Sequence, residues 1–206
     1  MTLQTMLAAS CCSATRSAAA SISRLLPATR PLHMARPEHS AARPSPLSDL
    51  LQLPRGPAPA LGLGLAGLTP FLAAPLYMQG VGLWLPGVAA AQLSYGAVIL
   101  SFLGGVRWGL LVSGDLPPTW SAYTLSVAPS LLGWAALLSP SLPAGLVACS
   151  AGLLAAASLD CRQPAYPPWF RALRLLLSLA AVTSLLACLV LSQSLATKQQ
   201  PSDILT

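Results

Sequence analysis

Asparagine is absent from the chain, and the two histidines, His33 and His39, both fall before residue 40. The first absence excludes N-glycosylation. The second leaves the rest of the chain without an imidazole to hold haem or a metal, or to act as a general base. Charge is scarce as well. Only 8% of residues are charged, where a soluble domain carries about a quarter. Between Arg55 and Lys198 the charged residues are Arg107, Asp115, Asp160, Arg162, Arg171 and Arg174 alone. Asp115 and Asp160 fall at the ends of apolar segments, so no carboxylate sits mid-span as a proton relay would require. A Ser, Thr or Cys nucleophile would have no histidine to activate it, and the sole lysine is in the C-terminal tail. These absences predict that the protein is not an enzyme and carries no cofactor. The five cysteines, Cys11, Cys12, Cys149, Cys161 and Cys188, show no CxxC spacing, which argues against a disulfide framework or a structural zinc. The net charge of +6 does not point to nucleic acid. Six of the eleven basic residues lie in residues 1–55, and no basic cluster is interleaved with aromatics.

What the chain has in abundance is apolar length. Hydrophobic residues make up 54% of it and its mean hydropathy is +0.66. Apolar segments fall at 58–78, 90–113, 121–139, 143–159 and 172–193, each near the roughly 20 residues that cross a bilayer. The connections "QGVGLWLPGV", "GDLPPTW", "SPSLP" and "DCRQPAYPPWFR" all carry Pro or Gly. The expected fold is an all-α membrane protein, a five-helix transmembrane bundle over 58–193 with a polar tail at 194–206.

Residues 1–40 contain Arg16, Arg24, Arg30 and Arg36, much Ser and Ala, and no acidic residue before Glu38. Dispersed arginines without a continuous apolar run read as an organellar transit peptide, not a secretory signal; composition leaves chloroplast import open beside the mitochondrial transit peptide expected here. Residues 41–57 are Pro-rich and read as a disordered linker. Orientation follows from the basic residues. With the N-terminus inside, Arg43, Arg55, Arg107, Arg162, Arg171 and Arg174 are all inside and Lys198 alone is outside. The expected location is the mitochondrial inner membrane, with the mature N-terminus in the matrix and the C-terminus in the intermembrane space.

"GLGLAG" at 62–67 spells a dinucleotide fingerprint, but a Pro-rich stretch precedes it instead of a strand, so helix packing is the better reading. Ala97, Ser101, Gly105, Gly109 and Ser113 recur every four residues and predict a small-residue ridge for close helix contact. Pro70, Pro75 and Pro129 each invite a kink. Arg107 lies six residues before Ser113, about 9 Å below the expected helix end. Its side chain tilts toward the helix N-terminus, away from the nearer interface. A partner at that depth is therefore expected: Asp160 within the chain, or an anionic lipid head group.

"GLTPF", "YGAVILSFLGGVRWGL", "PSLLGW" and Asp160 together resemble the transmembrane protein 69 family, over roughly residues 60–162. That family includes bacterial membrane proteins sharing a domain of unknown function. The resemblance implies a multi-pass membrane protein, mitochondrial in animals, and implies no reaction. Bacterial members often show His where this chain has Arg107, which speaks against a fixed proton-transfer role, since Arg does not titrate. The favoured function is a structural or assembly partner of a larger membrane complex; the alternative is a carrier for a small solute or lipid. Expected partners are the lipid bilayer, other inner-membrane proteins or anionic lipid, and no nucleic acid.

If the leader is removed on import, N-terminal sequencing of the mitochondrial form should find a start between about residues 25 and 50, and recovery of Met1 would refute the transit peptide.

Overall fold

The computed structural model describes residues 46–199. The leader, residues 41–45 and the end of the tail lie outside the described residues. Residues 46–199 are helical apart from short connections, with no strand among them. Helix α1 covers Pro46–Leu50, a 3-10 turn Leu53–Arg55, α2 Ala58–Ala66, α3 Thr69–Val81, α4 Pro86–Val112, α5 Trp120–Leu137, α6 Leu142–Cys161 and α7 Pro168–Gln199. The disordered linker is therefore corrected over 46–57. Those residues form α1, the 3-10 turn and the entry to α2, and Asp49 is buried.

Local signals explain the boundaries. Thr119 and Ser141 cap α5 and α6, their hydroxyls accepting from Ala122 N at 3.2 Å and Ala144 N at 3.4 Å. Proline in the first turn, where no intrahelical N–H is needed, opens α2, α3, α4 and α6. Gly82 ends α3 with a φ of 69°, a conformation that an L side chain resists. Pro70 falls where α2 gives way to α3, and the two together make one apolar length of 24 residues.

Four stretches are long and apolar enough to cross a membrane: Ala58–Val81, Pro86–Val112, Leu142–Cys161 and Pro168–Gln199. The expectation of five is corrected here. The segment expected at 121–139 does form a helix, α5, but Ser121, Tyr123, Thr124, Ser126, Pro129 and Ser130 leave it short of apolar length. It still returns along α4 from one end of the bundle to the other, burying Ser126, Pro129, Gly133 and Ala136, so the chain passes through the bundle five times although four stretches meet that apolar length.

Glycines fix how the helices run. A Cβ on Gly133 would come within 2.9 Å of the Ala97 carbonyl, and one on Gly104 would strike the Ser126 carbonyl, so α5 runs antiparallel to α4. A Cβ on Gly145 would meet Leu93, and one on Gly152 would meet Leu100, so α6 runs parallel to α4. Asp160 and Arg174 pair across the α6–α7 turn, and α7 returns. The first and last described segments therefore lie at opposite ends of the bundle. Asp49, Asp160, Arg171 and Arg174 share one end, and Lys198 lies at the other. Phe71, Met78, Leu93, Leu100, Leu146, Leu153 and Leu185 fill the centre between α3, α4, α6 and α7.

One polar cluster sits in that centre. Pro75 has no N–H, so the Phe71 carbonyl four residues earlier loses its helical donor. Gln92 Nε2 donates to it at 2.9 Å and Ser184 Oγ at 2.6 Å, while Gln92 Nε2 also donates to Ser184 Oγ at 2.9 Å. Neighbouring helices thus supply what the proline removed, as hydrocarbon surroundings demand. The carbonyl freed by Pro75 is a joint between α3, α4 and α7.

Gly104→Ala and Gly133→Ala should each destabilise the detergent-solubilised protein by about 1–3 kcal/mol, because the added methyl meets backbone that cannot rotate aside. Gly105→Ala, which meets open space, should not lower stability. Equal thermal-shift losses at Gly104 and Gly105 would contradict this packing.

Candidate functional site

Helix α6 ends on Asp160, and a carboxylate at a helix C-terminus faces the negative end of the macrodipole. It is stable there only with a cation beside it. The turn "RQPAYPP" reverses the chain, and α7 then presents Arg171 and Arg174 on its inward face, three residues apart. Arg174 Nε donates to Asp160 Oδ2 at 3.0 Å. Arg171 grips Asp49 with two bonds, Nε to Oδ2 at 2.7 Å and Nη2 to Oδ1 at 3.0 Å, and its Nη1 donates to the Tyr166 carbonyl at 3.0 Å. Both arginines are more than nine-tenths buried. Planar bidentate pairing of this kind is what guanidinium offers and ammonium does not.

Tyr166 closes the end of the bundle, with its ring tilted against Phe170 at 4.8 Å. Burial, then the negative charge of Asp160, push its phenol up to about 12, while Arg107 and Arg174 pull the other way. The phenol therefore stays neutral throughout the physiological range.

Arg107 is half-buried on α4, close enough for its charge to act on Asp160 and Tyr166. The expected Arg107–Asp160 pair is nevertheless corrected: the Asp160 carboxylate is held by Arg174, and Arg107 Nε and Nη1 are buried without a hydrogen-bond partner. Three inward guanidiniums thus share two carboxylates.

The small-residue ridge divides in the same way. Ala97 is buried against Gly133 and Ser101 is half-buried, but Gly105 and Gly109 meet nothing within 4 Å. Ser113 is exposed and caps the end of α4, where its hydroxyl donates to Asp115 Oδ2 at 2.5 Å. Close approach inside the chain is made instead by Gly96, Ala97 and Gly104, a face turned away from Gly105 and Gly109.

Asp49, Arg171 and Arg174 were not among the expected site residues. Asp49 lies in a stretch read as linker, and the two arginines served only to orient the chain. Their signal is the i, i+3 spacing of two arginines entering an apolar helix, which places both on one side of it. Among the described residues no cluster of His, Cys, Asp or Glu could hold a metal ion, and Cys149, Cys161 and Cys188 are free.

Residues 56–190 match the model of a family described as protein of unknown function, DUF3429. Similar proteins include transmembrane protein 69 of Xenopus tropicalis, 47% identical over 146 residues, covering 69% of this chain and 58% of that protein. Transmembrane protein 69 of Mus musculus is 39% identical over 152 residues, covering 72% of this chain and 62% of that protein. The chain thus spans less than two thirds of either relative's length. No solved structure matches. With four apolar helices of crossing length, the chain is a multi-pass membrane protein.

A double-mutant cycle in SDS unfolding should assign Asp160 to its partner. Asp160→Asn with Arg174→Gln should show coupling of about 2 kcal/mol, and Asp160→Asn with Arg107→Gln clearly less. The reverse order would give Asp160 to Arg107.

Proposed function

The chain belongs to the DUF3429 family, and from that premise we propose that it is a non-catalytic protein of the mitochondrial inner membrane that packs against a larger membrane complex. The arginine-rich end then faces the matrix, and the end bearing Lys198 faces the intermembrane space, in keeping with the positive-inside rule and the leader's composition. The observation that carries this reading is the outward face of α4. Val98, Phe102, Gly105, Gly109 and Val112 are all exposed and recur at alternating spacings of four and three, a seam at the 3.5-residue period with two glycines at its centre. Such a seam accepts a second helix at short distance.

The buried polar groups support the same reading. Gln92, Ser184, Asp49, Asp160, Arg171 and Arg174 all tie one helix to another. The alternative, a carrier, drew on the prolines and on Arg107. The Phe71 carbonyl freed by Pro75 is taken up by Gln92 and Ser184, which closes the break a transport site would use.

A tag after Thr206 tests partner and orientation together. On native gels of mild-detergent mitochondrial extract, the tagged protein should run with a larger complex, and Gly105→Leu with Gly109→Leu should release it while leaving membrane insertion intact. Protease should reach the tag in mitoplasts and not in intact mitochondria. A lone monomer on the gel, unchanged by the leucines, would refute the assembly role.

A further inference from the structure

A cleft of about 150 Å³ lies between the α2–α3 segment, α4 and α7. Its apolar walls include Leu63, Phe102, Leu103 and Leu177, and α7 adds Arg174 and Ser178. Leu63 and Phe102 are exposed, at 76% and 64%. The cleft therefore opens sideways, toward hydrocarbon, and not toward either end of the bundle. In volume it compares with engineered apolar cavities of roughly 150 Å³ that admit a benzene ring. A space of that volume fits part of an acyl chain, whose remainder would continue into the bilayer.

Two polar groups look into this apolar space. Arg174 and Ser178 sit one turn apart on α7, only 8% and 3% exposed. Arg174 commits Nε to Asp160, but its Nη2 has no hydrogen-bond partner, and neither has Ser178 Oγ. An unmade N–H or O–H in a water-free setting is costly, so these positions call for an acceptor. The surrounding charge specifies its sign. Asp160 neutralises one cation, yet Arg107 and Arg174 both act on it, so the group keeps one uncompensated positive charge. Arg174 lies six residues after Pro168, about 9 Å inside the start of α7, on the side of the N-terminal segment.

We propose that this cleft binds an acyl-chain lipid with an anionic oxygen head, the head on Arg174 Nη2 and Ser178 Oγ and the chain leaving past Phe102 and Leu63. The Arg107 charge adds long-range attraction. A carboxylate and a phosphate both present the required oxygens. The site does not rest on the assembly role, because a monomer would bind the same lipid.

The test uses the full chain in phosphatidylcholine nanodiscs carrying trace photoactivatable fatty acid, phosphatidic acid or phosphatidylcholine. Acidic probes should label peptides containing Phe102–Leu103 or Leu177–Ser178 about tenfold more than the phosphatidylcholine probe, the effect of one charge-assisted hydrogen bond. Stronger labelling by the fatty acid assigns a carboxylate head, and stronger labelling by phosphatidic acid a phosphate; either supports the site. Arg174→Lys keeps a cation for Asp160 and removes the free guanidinium N–H, and Ser178→Leu fills the cleft. Both should abolish the acidic preference. If Ser178→Leu does not fold, Arg174→Lys and Ser178→Ala carry the comparison. Equal labelling by the three probes, or an acidic preference unchanged in the variants, overturns the proposal.

Discussion

Hydrocarbon offers no hydrogen bonds, so every backbone polar group the chain carries into the membrane must be matched by another part of the chain. The Phe71 carbonyl shows how far the structure follows from this. Pro75 removes one donor, and the response recruits Gln92 from α4 and Ser184 from α7, which sets the depth of three helices at once. The same requirement acts at the charged end, where Arg171 draws Asp49 out of the N-terminal segment and Arg174 takes Asp160. Apolar contacts in a membrane are nearly indifferent to register, because lipid tails are as apolar as leucine. The few polar groups supply the register.

The helical class and the approximate helix positions were legible because apolar length and Pro/Gly punctuation are local properties. The expected segment at 143–159 and the observed Leu142–Cys161 differ by one or two residues at each end. The apolar length of α5 was overestimated because its serines, Tyr123 and Thr124 were weighed less than its leucines. The face that α4 turns to its own chain lies beside the expected ridge and shares Ala97 with it. A four-residue repeat of small side chains through Gly105 marks a face, but so does Gly96–Leu100–Gly104, and only the neighbouring α5 and α6 decide between them. Ion pairing was the least legible. Asp160 needed a cation, and the sequence held both Arg107 and Arg174 within reach of that end. The turn "RQPAYPP" brings Arg174 back onto Asp160, a geometry that spacing alone does not reveal.

The charge distribution of the bundle is lopsided for a physical reason. Helices α4, α6 and α7 concentrate Arg107, Asp160, Arg171 and Arg174 at one end, while among the described residues the far end keeps only Lys198. Paired within the chain, two of those arginines cost little to hold below the interface, and the third keeps its charge available. Burial of the pairs and the free charge of Arg107 together make one end polar and leave the centre to Gln92 and Ser184.

The docking of Asp49 on Arg171 has a consequence for how the protein is made. The two residues are 122 positions apart, so their contact closes a loop over most of the described chain and cannot form during early synthesis. Until α7 is inserted, the segment holding Asp49 has nothing to dock against, and Arg171 enters the membrane without its counter-ion. A chain beginning beyond residue 49 would leave a buried guanidinium uncompensated, a loss of roughly 3–5 kcal/mol, so the bundle holds together only with Asp49 present.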